Sequence, residues 1–277
     1  MNIKICVFFL ILFFCPHDTC ASIKSYSPLS RKFKKIINER SPVPVSRLKI
    51  ISFKHYDFEG NIKEGKIVVL DAVSLFVKKI FDELYNLKFP IHQALPMDLY
   101  DGNDDKSMED NNTSSFNPRF KYGSKQGVSI HAYGCAIDIN PVQNPFHYFE
   151  DEESKKKGIR YTKPSGSALL YINRIRAQKD GLKGLAEKVI DIFHKNGFTI
   201  WGGHWNHPID WHHFQVPSKL ATLLGIMTSE HAQKFFKWSV YNKSAVEQLF
   251  EKKNIEDIYN KNPEKFINDF EQLISKE

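Results

Sequence analysis

The sequence predicts a domain of mixed strands and helices. Three observations carry this: an apolar run of buried-strand type that leads into a helical apolar repeat, a second helical repeat closed by a glycine, and an ordinary globular balance of 42% hydrophobic and 26% charged residues over 277 positions. That length holds a sizeable core in one domain, or in one domain plus an appendage, and the composition excludes disorder across the whole chain.

At the amino end, Lys4 precedes ten apolar residues, Ile5 to Phe14, followed by Thr19-Cys20-Ala21. This is the layout of a secretory signal and is too short for a membrane span of about 20 residues. Residues 1–21 therefore read as a signal peptide, with maturation near Ala21 and export to the periplasm, cell wall or medium. Cys6, Cys15 and Cys20 fall in that segment and only Cys135 survives it, so no disulfide can staple the mature chain.

Residues 22–44 hold six Lys/Arg against Glu39 alone, so +5 of the formal +7 sits there and residues 45–277 carry about +2. Ending in Ser41-Pro42-Val43-Pro44, this segment reads as a basic arm or linker that offers an electrostatic contact to anionic wall polymer or a membrane surface, with a plain solvated linker as the alternative. A near-neutral remainder without a basic aromatic face argues against a nucleic-acid partner.

A folded domain is expected over residues 45–228. The run GKIVVLD, residues 65–71, predicts a strand, and Val73, Phe76, Val77, Ile80, Phe81 and Leu84 recur at helical spacing after it. Residues 101–114 are polar and acidic. A calcium loop counted from Asp101 needs Glu at its twelfth position, where Asn112 stands, so a solvated loop is predicted. Leu185, Val189, Ile192 and Phe193 form one face of a second helix that Gly197 closes. Residues 229–277 read as a helical extension, with Asn262 as N-cap, Pro263 in the first turn, and Phe266, Ile267, Phe270, Leu273 and Ile274 on one face.

Chemistry concentrates in SIHAYGCAID and FTIWGGHWNHPIDWHHFQV. His131, Asp138 and His213 can supply two imidazoles and a carboxylate to one zinc ion, the ligand count of a catalytic site that keeps a position for water. A closed structural zinc site rich in cysteine is ruled out by the single remaining thiol. Gly134 allows a sharp turn, after which residues 136–139 can run as a strand that presents Asp138 on one face. Asp210 stands three residues before His213, so a bend is needed for both to face the same point. His212 shares a face with Asp210 in an ideal strand, and spacing alone leaves His212 and His213 as competing ligands.

SIHAYGCAID resembles the S-x-H-x-x-G-x-A-x-D motif of the zinc peptidase family that contains D-alanyl-D-alanine carboxypeptidases, dipeptidases and L-alanyl-D-glutamate endopeptidases. DWHHF resembles that family's second motif, an acidic residue three before the last metal-ligating His. The resemblance extends through YDFEGNIKEGKIVV, FPI, NNTSSFNPR, AIDINPVQNP and GFTIWGGHW, about residues 45–217.

It implies His131, Asp138 and His213 as ligands to one Zn²⁺, Asp210 as the catalytic acid/base, and Arg119 and Ser129 as substrate contacts. Trp201 or Trp205 would wall the cleft. The implied fold is a compact α+β domain with a central antiparallel sheet carrying the zinc and helices packed on one side. The implied reaction is hydrolysis of an amide bond in peptidoglycan stem peptides, by a D-alanyl-D-alanine carboxypeptidase or an L-alanyl-D-glutamate endopeptidase. A zinc-containing wall-binding module without catalysis is the reading from another class. Pro118 stands where the family commonly has Cys and His204 where it usually has an acidic residue. Neither position belongs to the metal set. The oligomeric state is not legible.

Overall fold

A computed structural model describes residues 21–124, 126–167, 171–172, 174, 182–251 and 254–274. The expected signal segment, up to residue 20, lies outside them, as do the side chains of Leu273 and Ile274. Among the described residues no helix is long and apolar enough to cross a membrane.

The described residues open with β1 (Ala21–Ser25) and α1 (Arg31–Arg40), followed by the long hairpin of β2 (Leu48–Tyr56) and β3 (Ile62–Leu70). β1 pairs antiparallel with β2, and β2 with β3 in a register that sets Leu48 against Leu70 and Tyr56 against Ile62. Asp57 closes the hairpin turn, its Oδ1 accepting the amides of Glu59 and Asn61. Residues 22–44, expected as a basic linker, are thus part of the fold. Ser30 caps α1 by accepting the Phe33 amide at 2.9 Å, and Phe33 and Ile37 are buried, one helical turn apart. The lysines of α1 occupy its exposed side. Charge density along the sequence concealed this two-residue apolar stripe.

After β3 comes α2 (Ser74–Asn86), whose Phe76, Val77, Ile80, Phe81 and Leu84 are buried as the periodicity predicts. Phe81 stacks on Phe53 of β2 with ring centroids 3.7 Å apart. β4 (Gln93–Ala94) and β5 (Asn112–Thr113) form a short parallel pair flanking α3 (Asp104–Glu109). The stretch expected as a solvated loop therefore carries a helix, and Asn112 is fully buried, its side chain bonding both the amide and the carbonyl of Leu95.

Next come β6 (Ala136–Asp138), β7 (Phe146–Tyr148), α4 (Glu152–Lys157), β8 (Tyr161–Lys163), α5 (Ile190–Lys195), β9 (Ile200–Trp201), β10 (Ile209–Asp210) and β11 (His213–Gln215). They make two further three-stranded antiparallel sheets, β10-β7-β8 and β6-β11-β9. The expected central sheet is thus divided into several small ones. Left-handed residues, Gly134 before β6 and Asn140 after it, stop the strand within three residues, so no long sheet can grow through this region.

Helices α6 (Ser218–Ile226), α7 (Ser229–Tyr241), α8 (Lys243–Glu251), α9 (Ile255–Lys261) and α10 (Pro263–Ile274) complete the described residues. They are continuous with the main core. Phe236 of α7 is fully buried and meets Phe76 edge-on at 5.3 Å. Arg47 forms a buried pair with Asp71 (Nε to Oδ2 2.7 Å, Nη2 to Oδ1 2.8 Å) and also donates to the carbonyls of Leu224 and Met227. The expected division at residues 228 and 229 runs through this packing.

Candidate metal centre

The site is assembled where three segments meet. Ser114 to Arg119 lies along β6 through the Ser114–Asp138 bridge, and it hangs from the hairpin by the bond of the Phe116 amide to the Val68 carbonyl, 2.9 Å. A 3-10 turn, Ile130–Tyr133, carries His131 and ends at Gly134 with φ of 69°. A Cβ at Gly134 would fall 2.6 Å from the Leu70 amide nitrogen, so only glycine lets this turn press against β3. β11 pairs antiparallel with β6 and sets His213 directly opposite Asp138. Phe214 points the other way into the core, stacked 3.9 Å from Phe193.

His131, Asp138 and His213 are all buried, with one ligand atom from each lying within 4.8 Å of the others. His131 Nε2 is 3.1 Å from His213 Nδ1 and 3.2 Å from Asp138 Oδ2, and His213 Nδ1 is 3.0 Å from Asp138 Oδ1. The outer ring nitrogens face acceptors: His131 Nδ1 meets the Ser115 carbonyl at 2.6 Å, and His213 Nε2 meets Gln215 Oε1 at 2.8 Å. With each outer nitrogen donating to its acceptor, the two inner nitrogens, which otherwise share a proton with the Asp138 carboxylate, are the ones free to turn lone pairs to a cation between them. Three donors converging on a buried point could hold a cation, and this donor set fits a divalent metal such as zinc.

Burial alone would raise the Asp138 carboxyl, but the imidazoles of His131 and His212 and the hydrogen bonds from His131 and His213 outweigh it and hold the group well below the usual carboxylate range. His213 is shifted upward against its burial by Asp138 and Asp210, with Gln215 adding to the shift.

The bend expected between Asp210 and His213 lies at Trp211 and His212, which form the turn between β10 and β11. His212 is not among the converging donors. Its Nδ1 faces the Asn144 carbonyl at 2.7 Å and its Nε2 faces Asp210 Oδ1 at 2.9 Å. Burial would lower this imidazole, but the Asp210 and Asp138 carboxylates push it up to about 9. A Cβ at Gly202 would sit 2.5 Å from the Asp210 carbonyl oxygen, so the Trp-Gly-Gly segment lets β10 approach.

The cluster opens into a cleft of about 350 Å³ lined by Arg119, Ser129, Trp205, Asp210, His212 and His213 among others. Ser129 Oγ also accepts the His131 amide at 3.3 Å. Trp205 stands with its ring 5.3 Å from that of His213. Trp201, expected on the cleft wall, is buried instead: its ring stacks near Phe214 at 6.2 Å and its indole N–H donates to the Trp211 carbonyl at 2.8 Å. Antiparallel pairing sets Trp201 opposite Phe214, on the core side of β11.

Sequence reading missed four contributors: Asp104 and Asp105 of α3 line the cleft, and Ser115 and Gln215 orient the two histidines. His212, weighed there as a ligand, contacts Asp210 instead. For Gln215 a signal existed, since it stands two residues from His213 and so shares its face of the strand.

The buried two-histidine, one-carboxylate cluster could hold a metal ion, and the cleft beside it brings a carboxylate and a guanidinium within reach. Residues 122–216 match the family model described as D-alanyl-D-alanine carboxypeptidase, so this segment is similar to that peptidase family. The matched segment contains both metal motifs and stops short of Arg119. No curated protein and no solved structure matches the chain.

Proposed function

We propose that this protein is an exported zinc-dependent peptidase that hydrolyses an amide bond in peptidoglycan stem peptides, in the manner of a D-alanyl-D-alanine carboxypeptidase. The observation that carries the reading is the convergence of His131, Asp138 and His213 on one point beside Asp210, at the floor of a cleft that Arg119 also lines.

A zinc ion held by those three residues would acidify water and polarise the scissile carbonyl. Asp210 has the role of proton carrier: its carboxylate takes the proton of the attacking water and returns it to the departing amine nitrogen. His212 keeps that carboxylate turned toward the cleft. Arg119 neutralises either the developing oxyanion or a substrate carboxylate, Ser129 orients the substrate backbone, and Trp205 walls the cleft.

One observation favours the L-alanyl-D-glutamate endopeptidase reading. Arg119 is already paired with Asp104, which reduces its pull on a terminal carboxylate.

Mass spectrometry of muropeptides digested with the purified protein, with and without a chelator, tests the proposal. Release of terminal alanine that stops with chelator supports the carboxypeptidase, and an internal cut the endopeptidase. A zinc-loaded protein that binds sacculi and cleaves neither bond overturns catalysis in favour of a wall-binding module.

A further inference from the structure

We propose that Gln215 is a positioning residue that locks the tautomer of His213 and so makes Nδ1 its metal-binding atom. The inference rests on the metal reading of the site given above.

The argument starts from strand geometry. On β11 side chains alternate, so Phe214 enters the core while His213 and Gln215 stand on the same face. Gln215 is buried, and its amide has one orientation that satisfies its surroundings. The Nε2 end donates to the Val216 carbonyl and to Ser218 Oγ, both at 3.3 Å, which turns Oε1 toward His213 Nε2 at 2.8 Å. An acceptor at that distance keeps the ring proton on Nε2. A cation held beside the Asp138 carboxylate then takes the lone pair of Nδ1, the nitrogen 3.0 Å from Asp138 Oδ1 and 3.1 Å from His131 Nε2. With the other tautomer, a proton would point into the metal position and a lone pair would face the amide oxygen.

The two histidines are locked by different means. His131 donates to a main-chain carbonyl, which no side-chain substitution removes, and therefore binds through Nε2. His213 depends on one side chain. A neutral amide leaves Asp138 as the sole carboxylate of the cluster, whereas Glu at 215 would place a second anion on the far side of the ring and raise its donor strength.

Zinc competition against a chromophoric chelator, together with long-range ¹H–¹⁵N spectra of the histidine rings, tests this in the full-length protein. Gln215→Leu is expected to weaken zinc affinity by about 10- to 100-fold, the usual effect of losing such a partner. Gln215→Glu is expected to keep or tighten it. The zinc-loaded wild type should show His213 protonated at Nε2 and metallated at Nδ1. If Gln215→Leu does not fold, the wild-type spectrum and Gln215→Glu still decide. Wild-type zinc on Nε2 of His213, or unchanged affinity in a folded Gln215→Leu, overturns this inference alone. A wild type that takes up no zinc overturns it together with the metal reading.

Discussion

Asp104 holds Arg119: the carboxylate Oδ2 stands 3.0 Å from the guanidinium Nη2, and both side chains line the cleft that contains His213. The carboxylate of α3 occupies the kind of partner that a substrate carboxylate would offer. Asp104→Asn is therefore expected to lower KM for a peptide ending in a free carboxylate by about two- to fivefold, the worth of a partly exposed ion pair, with kcat nearly unchanged. Steady-state kinetics on matched acid and amide peptides checks this. An equal change for both peptides would refute the competition.

Asp210 and the metal trio should separate cleanly. Asp210→Asn is expected to keep stoichiometric zinc and lose about 10²- to 10⁴-fold in kcat, whereas His131→Ala or His213→Ala loses the zinc itself. Metal analysis beside turnover distinguishes the two, and undiminished turnover in Asp210→Asn would remove it from the mechanism.

Metal removal should also be visible in stability. Zinc at a thousand times its dissociation constant adds about 4 kcal/mol to the folded state, so a chelator should lower the wild-type melting temperature by several degrees. The same chelator should leave His131→Ala unmoved. A chelator response retained in that variant would place the metal elsewhere.

The Arg47–Asp71 pair is the strut between the hairpin and α6. Arg47→Met leaves Asp71 buried without its partner and is expected to cost about 3–5 kcal/mol, while Arg47→Met with Asp71→Leu should recover much of that. Urea denaturation of the three proteins checks it. A full loss in the double variant would mean that the bonds to the Leu224 and Met227 carbonyls matter more than the pair.

His55 on β2 is buried, and burial pushes its imidazole below its ordinary value of 6.5. The unfolded chain therefore takes up a proton at a higher pH than the folded one. The stability that His55 contributes is full above pH 6.5 and is lost as pH falls through the folded value, with a slope of at most about 1.4 kcal/mol per pH unit for the one proton. Denaturation midpoints between pH 7.5 and about 5 should fall for the wild type and fall less for His55→Asn. Parallel curves would assign the acid sensitivity to other groups.

Much of the site was legible before any coordinates. His131 and Asp138 share one short segment with a glycine between them, and the chemistry of two imidazoles and a carboxylate is a property of residue type. The choice between His212 and His213 was not legible from spacing, because the turn at Trp211 and His212 reverses the alternation that an ideal strand would impose. Trp201 was misplaced for a related reason: an aromatic side chain serves a wall or a core equally well, and only its register opposite Phe214 assigns it to the core. The basic stretch before residue 45 hid Phe33 and Ile37, whose burial depends on contacts such as that with Phe116, far along the chain.

By itself the sequence determined the donor set, the helical periodicity of α2 and the need for a glycine turn at 134, because each follows from residue type and short spacing. Tertiary structure alone decided which nitrogen of each histidine turns inward, that Asp104 reaches Arg119, and that residues 21–44 and the helices after residue 228 join the core. Those depend on contacts between residues distant in sequence, such as Asp138 with His213 across β6 and β11, and on hydrogen-bond partners that local patterns do not encode.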